Sequence, residues 1–276
     1  MKKRKKKILL IVLAIIILEG VVSVGLNHTL QIGFDEGKFV IRNVEHGETI
    51  QDQINREFQS YHFINLFGRF KINWSVLRVI LFVDLFLIVF AVLVRRKIHL
   101  IPGKLQLIAE IIYSFFTNLV VETIGENKKY FTPYIFTIFI FIWLCNIVGL
   151  IPIPGNLEPT RNLNVPLGLG LMALITVHYS SIKEKGIGAY LKEYAEPLGF
   201  MAPLNVVGEL AKGISLSFRL FGNILGGAII ILVVSNLTRF ILIPVGLNLF
   251  FGLFIGTVQA FVFTMLVLSY TAVAIK

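Results

Sequence analysis

The sequence predicts an all-α polytopic membrane protein: about five transmembrane helices, an N-terminal leader or anchor before them, and two long tilted helices at the C-terminus. Three observations lead there. Of 276 residues, 56% are hydrophobic and 15% charged, against ~25% charged in soluble domains. Apolar runs approaching or exceeding the ~20 residues that a bilayer demands recur along the chain. Lys and Arg outnumber Asp and Glu by 26 to 16, and between the runs they obey the positive-inside rule. A disordered chain would need fewer apolar residues. The single cysteine, Cys145, excludes a disulfide framework or a cysteine metal site within one chain. The basic excess marks cytoplasmic loops rather than a nucleic-acid partner.

The first run, residues 8–26, follows the basic cluster Lys2 to Lys7. A basic start, an apolar core and the small residues Ser23, Val24 and Gly25 describe a signal peptide; an uncleaved anchor is the alternative. Either sends the polar segment 27–73 outside. Trp74, an interfacial residue type, opens the membrane domain 74–276. The span 74–94 runs inward and stops at Arg95, Arg96 and Lys97. Pro102-Gly103-Lys104 reads as a turn. In 105–127 apolar residues recur at helical spacing, but Gln106, Glu110 and Asn118 interrupt them. The expectation is an amphipathic helix on the cytoplasmic face, not a span.

Spans at 131–150 and 166–181 follow. The loop between them lies outside, and Lys183, Lys185 and Lys192 lie inside. Two further runs, 204–237 and 241–275, go out and back. At 1.5 Å per residue, ~34 residues reach about 50 Å, against a ~30 Å hydrocarbon core. Such helices must tilt strongly or break.

The chemistry concentrates in 209–227. Arg219 sits inside an apolar run, where a cation costs at least ~2.5–3.5 kcal/mol. Lys212, Ser215, Arg219, Gly222 with Asn223, and Gly226 share one helix face. Small residues on such a face admit another helix closely. An ion pair with Glu110 or Glu209 is the structural alternative for Arg219, and snorkelling to the interface is the alternative for Lys212. In the last run Gly252, Gly256, Gln259 with Ala260, and Phe263 form a matching face. Gln259 is expected to hold the Arg219 guanidinium without neutralising it. Asp84 is expected to pair with Arg78 or to contact another subunit. His178 and Tyr179 read as interfacial or packing residues.

The run Ser215-Leu-Ser-Phe-Arg219-Leu-Phe-Gly-Asn223 resembles the signature of subunit a of F-type ATP synthases. Gln259-Ala-Phe-Val-Phe, Pro102-Gly103-Lys104, and Pro159-Thr160 before Leu163-Asn164 match as well, and the resemblance covers about residues 65–275. It implies a membrane stator in the bacterial plasma (inner) membrane, beside a ring of c subunits and held by peripheral-stalk b subunits. The ring carries an ionisable carboxylate on each subunit. Two offset half-channels lead H+ or Na+ to it, and Arg219 stands between them. An arginine stays charged in a low dielectric where a lysine can lose its proton. Ion translocation is thereby carried over to Arg219, Asn223, Gln259, Ser215 and Lys212, with no metal site, no cofactor and no catalysis of its own.

Three positions where proton-coupled relatives often carry a titratable group are neutral here: Asn162, Ala228 and Gly252. Neutral oxygens (Ser215, Ser217, Asn223, Ser235, Asn236, Thr257 and Gln259) suit a sodium path, so sodium coupling is expected; the alternative is a proton path through water or through Glu158, Glu110 or His178. Two other classes fit less well. A secondary ion transporter would show internal repeats, and none is present. A membrane enzyme would cluster its histidines with acids. His28, His46, His62, His99 and His178 are scattered, and no nucleotide-binding motif occurs.

Overall fold

The computed structural model describes residues 30–35, 38–43, 63–66, 70–96, 103–150, 158–195, 199–237 and 242–275. The expected leader or anchor, the Arg95–Lys97 stop beyond Arg96, and four of the five histidines lie outside them.

Among the described residues, two antiparallel hairpins precede the first helix. Strand β1 (Leu30–Asp35) pairs with β2 (Lys38–Asn43), Leu30 opposite Asn43. Strand β3 (Phe63–Leu66) pairs with β4 (Phe70–Asn73), Phe63 opposite Asn73. The described elements after them are all helices. Helix α1 is Trp74–Arg96, α2 is Lys104–Ile124, α3 is Thr132–Val148 and α4 is Asn164–Lys185. A short amphipathic helix, α5, covers Ile187–Ala195, and α6 runs over Ala202–Leu237. Helix α7 (Leu242–Asn248) leads through a π-helical segment, Leu249–Ile255, into α8 (Gly256–Ile275). The chain is thus a multi-pass membrane protein with an α-helical membrane domain, as its composition demands.

Among the described residues, six helical stretches are long and apolar enough to cross a membrane: those over the expected spans, and Gln106–Ile124 within α2, the helix expected on the cytoplasmic face. Its Phe116 and Val120 are buried in the bundle core, while Leu107, Ile108, Ile111 and Phe115 are exposed. Apolar side chains therefore occupy two sides of α2, which raises its hydropathy above that of a one-striped surface helix. The Phe116 ring centroid lies 4.8 Å from that of Phe139 of α3, the rings tilted by 44°, and the Phe115 centroid lies 6.4 Å from that of Phe261 of α8.

The core joins Ile135 and Ile142 of α3, Leu216, Leu220 and Ile224 of α6, and Phe263, Val267 and Leu268 of α8. Helix α1 is peripheral. Val79 and Val83 pack on Cys145 and Val148, and most of its other apolar side chains, Leu81 and Leu93 among them, are exposed. Asp84 is half-buried there, and no ion pair with Arg78 joins it among the described residues. Two corners use glycine for backbone that other residues resist. Gly125 (φ 106°) ends α2 and Gly186 (φ 80°) ends α4. The two corners lie at one end of the bundle, because Glu184 accepts from Tyr130 Oη at 2.9 Å and pairs with Lys128 Nζ at 3.1 Å.

Helices α4 and α6 approach closely through small residues. A Cβ on Gly170 would lie 2.1 Å from Ser217 Oγ and 2.7 Å from the Gly213 carbonyl oxygen. The second long arm is broken where the sequence offers tilt or breakage. The Gly256 carbonyl at the end of the π segment accepts from Asn146 Nδ2 at 3.0 Å, and Asn146 Oδ1 accepts from Thr160 Oγ1 at 2.9 Å. α6 is unbroken over 36 residues, about 54 Å at 1.5 Å per residue.

Candidate functional site

Helix α6 has two faces. Toward the bundle go Gly213, Leu216, Ser217, Leu220, Ile224 and Gly227, all buried. The other side carries Ser215, Arg219, Gly222 and Asn223, all exposed in the chain by itself, with Lys212 and Gly226 half-buried at its edges. The face predicted from helical spacing is therefore a real one, and it looks away from this chain's own core. Nothing lies within 4 Å of where a Cβ would stand on Gly222 or Gly226. The surface beyond Arg219 is smooth and open.

Neither internal acid reaches Arg219. Glu209 pairs with Lys212, and Glu110 accepts from Gln106 Nε2 at 2.7 Å. Among the described residues Arg219 has no ion-pair or hydrogen-bond partner. A charge that is costly in hydrocarbon is thus left for a counter-charge outside them. Gln259 does not serve the guanidinium either, contrary to the expectation. Its Oε1 accepts from Asn223 Nδ2 at 2.7 Å, because Asn223, one turn beyond Arg219, presents its amide to α8 at this level. Gln259 is only 4% exposed, and its Nε2 has no hydrogen-bond partner among the described residues.

Two cavities flank this pair of helices, one on each side of Arg219 along α6. The first is lined by Asn223 and Ala228 of α6, Gly252 of the π segment, Asn146 of α3, and Glu158 and Arg161 before α4. At about 20 Å³ it has room for one water-sized particle. The second, about 310 Å³, is lined by Glu209, Lys212, Tyr270, His178, Tyr190 and Tyr194, among others. Lys212 is not a freely snorkelling side chain. Its ammonium joins Glu209 and lies 5.5 Å from the Tyr270 ring centroid.

His178 is also more than an interfacial residue. Its Nδ1 lies 3.0 Å from Tyr190 Oη and 3.5 Å from Tyr194 Oη, both on α5. The i,i+4 spacing of two tyrosines on a short amphipathic helix carries this signal, but their partner lies on another helix. Tyr179, by contrast, is exposed. Of the three neutral positions, Ala228 and Gly252 wall the smaller cavity. Asn162 acts locally instead. Its Oδ1 accepts the Asn164 N–H at 3.0 Å, an Asx turn at the start of α4.

Comparison with known proteins places these residues in context. The family described as ATP synthase A chain matches residues 75–272. A protein of Acidothermus cellulolyticus, ATP synthase subunit a, is 38% identical over 179 residues, 63% of this chain and 66% of that one. ATP synthase subunit a of Geotalea daltonii is 37% identical over 188 residues, 67% of this chain and 80% of its own length. A protein of Propionigenium modestum, described as ATP synthase subunit a, sodium ion specific, is 36% identical over 202 residues, 68% of this chain and 70% of that one.

Proposed function

Because the chain belongs to the ATP synthase A chain family, we propose that it is the ion-translocating stator of a rotary ATP synthase, coupling ion flow across the bacterial plasma membrane to rotation of a c-subunit ring. Members of this family are non-catalytic membrane-sector subunits, and the chemistry on ATP belongs to other subunits. One observation carries the mechanism. Arg219 stands on an open face of α6, without a partner among the described residues, between two cavities that meet α6 on either side of it.

The smooth face of Gly222 and Gly226 takes the ring, and the peripheral-stalk b subunits hold the chain still. Arg219 meets each ring carboxylate in turn and drives off its bound cation by competing for the negative charge. A fixed cation here also repels ions that would pass straight from one cavity to the other. The smaller cavity is the outer half-channel, on the side of the loop before α4. The larger is the inner one, on the side of Lys183 and Lys185. Ions descending between them release ~2.3 kcal/mol per charge per 100 mV, which the ring converts to torque.

Sodium is the favoured ion. The outer cavity is walled by amides and by Ala228 and Gly252 rather than by titratable groups on α6 and the last arm. Asn and Gln oxygens replace water around a dehydrating cation. The sodium-specific description of the Propionigenium relative supports the same reading. The test is ATP-driven uptake of labelled sodium into liposomes holding the whole complex, with a protonophore present. Uptake that persists or rises is expected. Uptake that collapses would make the proton the driven ion.

A further inference from the structure

The smaller cavity contains one carboxylate, and it comes from neither α6 nor the last arm. Among the residues lining it, Glu158 is the single acid and Arg161 the single base; the others are asparagines, small residues and apolar side chains. The backbone has made room for that carboxyl group. A Cβ on Gly149 would fall 1.8 Å from Glu158 Cγ and 2.2 Å from its Oε1. The side chain lies across the end of α3, in the space that any other residue at 149 would fill. The segment that carries it is fastened by Thr160 Oγ1 donating to Asn146 Oδ1 at 2.9 Å.

We propose that Glu158 is the cation-admitting residue of the outer path, resting on the half-channel reading above. The cavity is narrow and its other lining residues are uncharged, so its potential is set by few charges. With Arg161 alone it would be positive and would repel a cation. The Glu158 carboxylate offsets that guanidinium and supplies an anionic oxygen at the level of Asn223 and Ala228. Glycine at 149 is then a positioning residue. It acts through Glu158, by leaving the carboxylate its place.

The two directions of the motor separate this role from mere stability. ATP synthesis draws ions from the outer face, and ATP hydrolysis draws them from the inner face. The experiment titrates both activities of the reconstituted complex with Na+ at fixed pH, or with external pH if the protonophore experiment identifies protons. Glu158→Gln is expected to raise the outer-side concentration at half-maximal synthesis roughly tenfold, the order set by one screened charge a few ångströms away. The inner-side titration of hydrolysis stays within about twofold. Gly149→Ala, which keeps the acid but displaces it, shifts the outer titration in the same direction. Glu158→Gln with Arg161→Gln recovers most of the shift, because neither charge remains.

An unchanged outer titration in Glu158→Gln overturns the proposal, and so does an equal shift of both titrations. Arg219→Ala serves as the separate control. If it abolishes coupling while Glu158→Gln leaves the outer titration unmoved, the stator reading stands and the role of Glu158 falls. If Arg219→Ala still couples, the stator reading falls first.

Discussion

Asn223 Nδ2 donates a hydrogen bond to Gln259 Oε1 at 2.7 Å, joining α6 to α8 one turn beyond Arg219. The exposed arginine therefore stands beside a fixed polar crossing between the two long arms. A guanidinium on a helix free to roll would be averaged over many positions. Pinning α6 to α8 here holds the charge at one azimuth.

Arg219→Ala is expected to abolish ion-driven ATP synthesis with the complex still assembled, since no intrachain bond among the described residues is lost. Native electrophoresis reports assembly, and synthesis in liposomes reports coupling. Coupled synthesis at the normal rate would refute the role given to Arg219.

The Asn223–Gln259 pair should behave as a unit. Asn223→Ala leaves a buried amide with no partner on either end, costing about 1–3 kcal/mol. Adding Gln259→Leu removes that amide, so the double variant should be more heat-stable than Asn223→Ala alone. A double-mutant cycle on the melting of the detergent-solubilised complex measures this. Strictly additive losses would mean that the crossing contributes nothing as a pair.

A glycine packed against the inner face of α6 and a glycine on its open face should fail differently. Gly170→Ala drives a methyl into Ser217 Oγ and the Gly213 carbonyl, so it is expected to cost about 1–3 kcal/mol and to lower the yield of folded chain. Gly226→Leu starts from a position where a Cβ meets nothing within 4 Å inside the chain. Its expected result is a stable subunit that no longer docks on the ring, read as loss of c-ring co-purification at normal expression. Normal co-purification would remove the ring from this face.

Lys212→Gln is expected to slow ATP-driven pumping a few-fold without stopping it, in contrast to Arg219→Ala. The ammonium lines the larger cavity but is already engaged by Glu209 and Tyr270, so its charge is largely spent within the chain. Initial rates of cation uptake decide the matter. Complete loss would raise Lys212 to the same rank as Arg219.

What was legible in the sequence, and what was not, divides along a physical line. The spans could be read because hydropathy is local: a run of apolar residues reports on itself. The polar face of α6 could be read for the same reason, since its spacing lies within one helix. Pairings across helices could not. Nothing local distinguishes Asn223 from Arg219 as the partner of Gln259, or joins His178 to Tyr190 and Tyr194. The hairpins at 30–43 and 63–73 sat in a polar stretch with no strong alternation. Gln106 and Glu110, which interrupt the apolar pattern of α2, satisfy one another at 2.7 Å and so cost the helix less than two isolated polar groups would.

The π-helical segment Leu249–Ile255 bears on how this chain can change over evolutionary time. A π turn holds more residues than an α turn, so its presence fixes a count as well as a shape. Deleting one residue there would let the arm close into regular α-helix and turn everything before it by about 100° relative to α8. Gly252 would leave the cavity wall, while Gln259 kept its place. Substitutions in this stretch, other than at Gly252, where a Cβ would fall 2.4 Å from Leu150 Cδ2, leave the count unchanged, whereas a change of length does not. Lineages should accumulate sequence drift here without accumulating insertions or deletions.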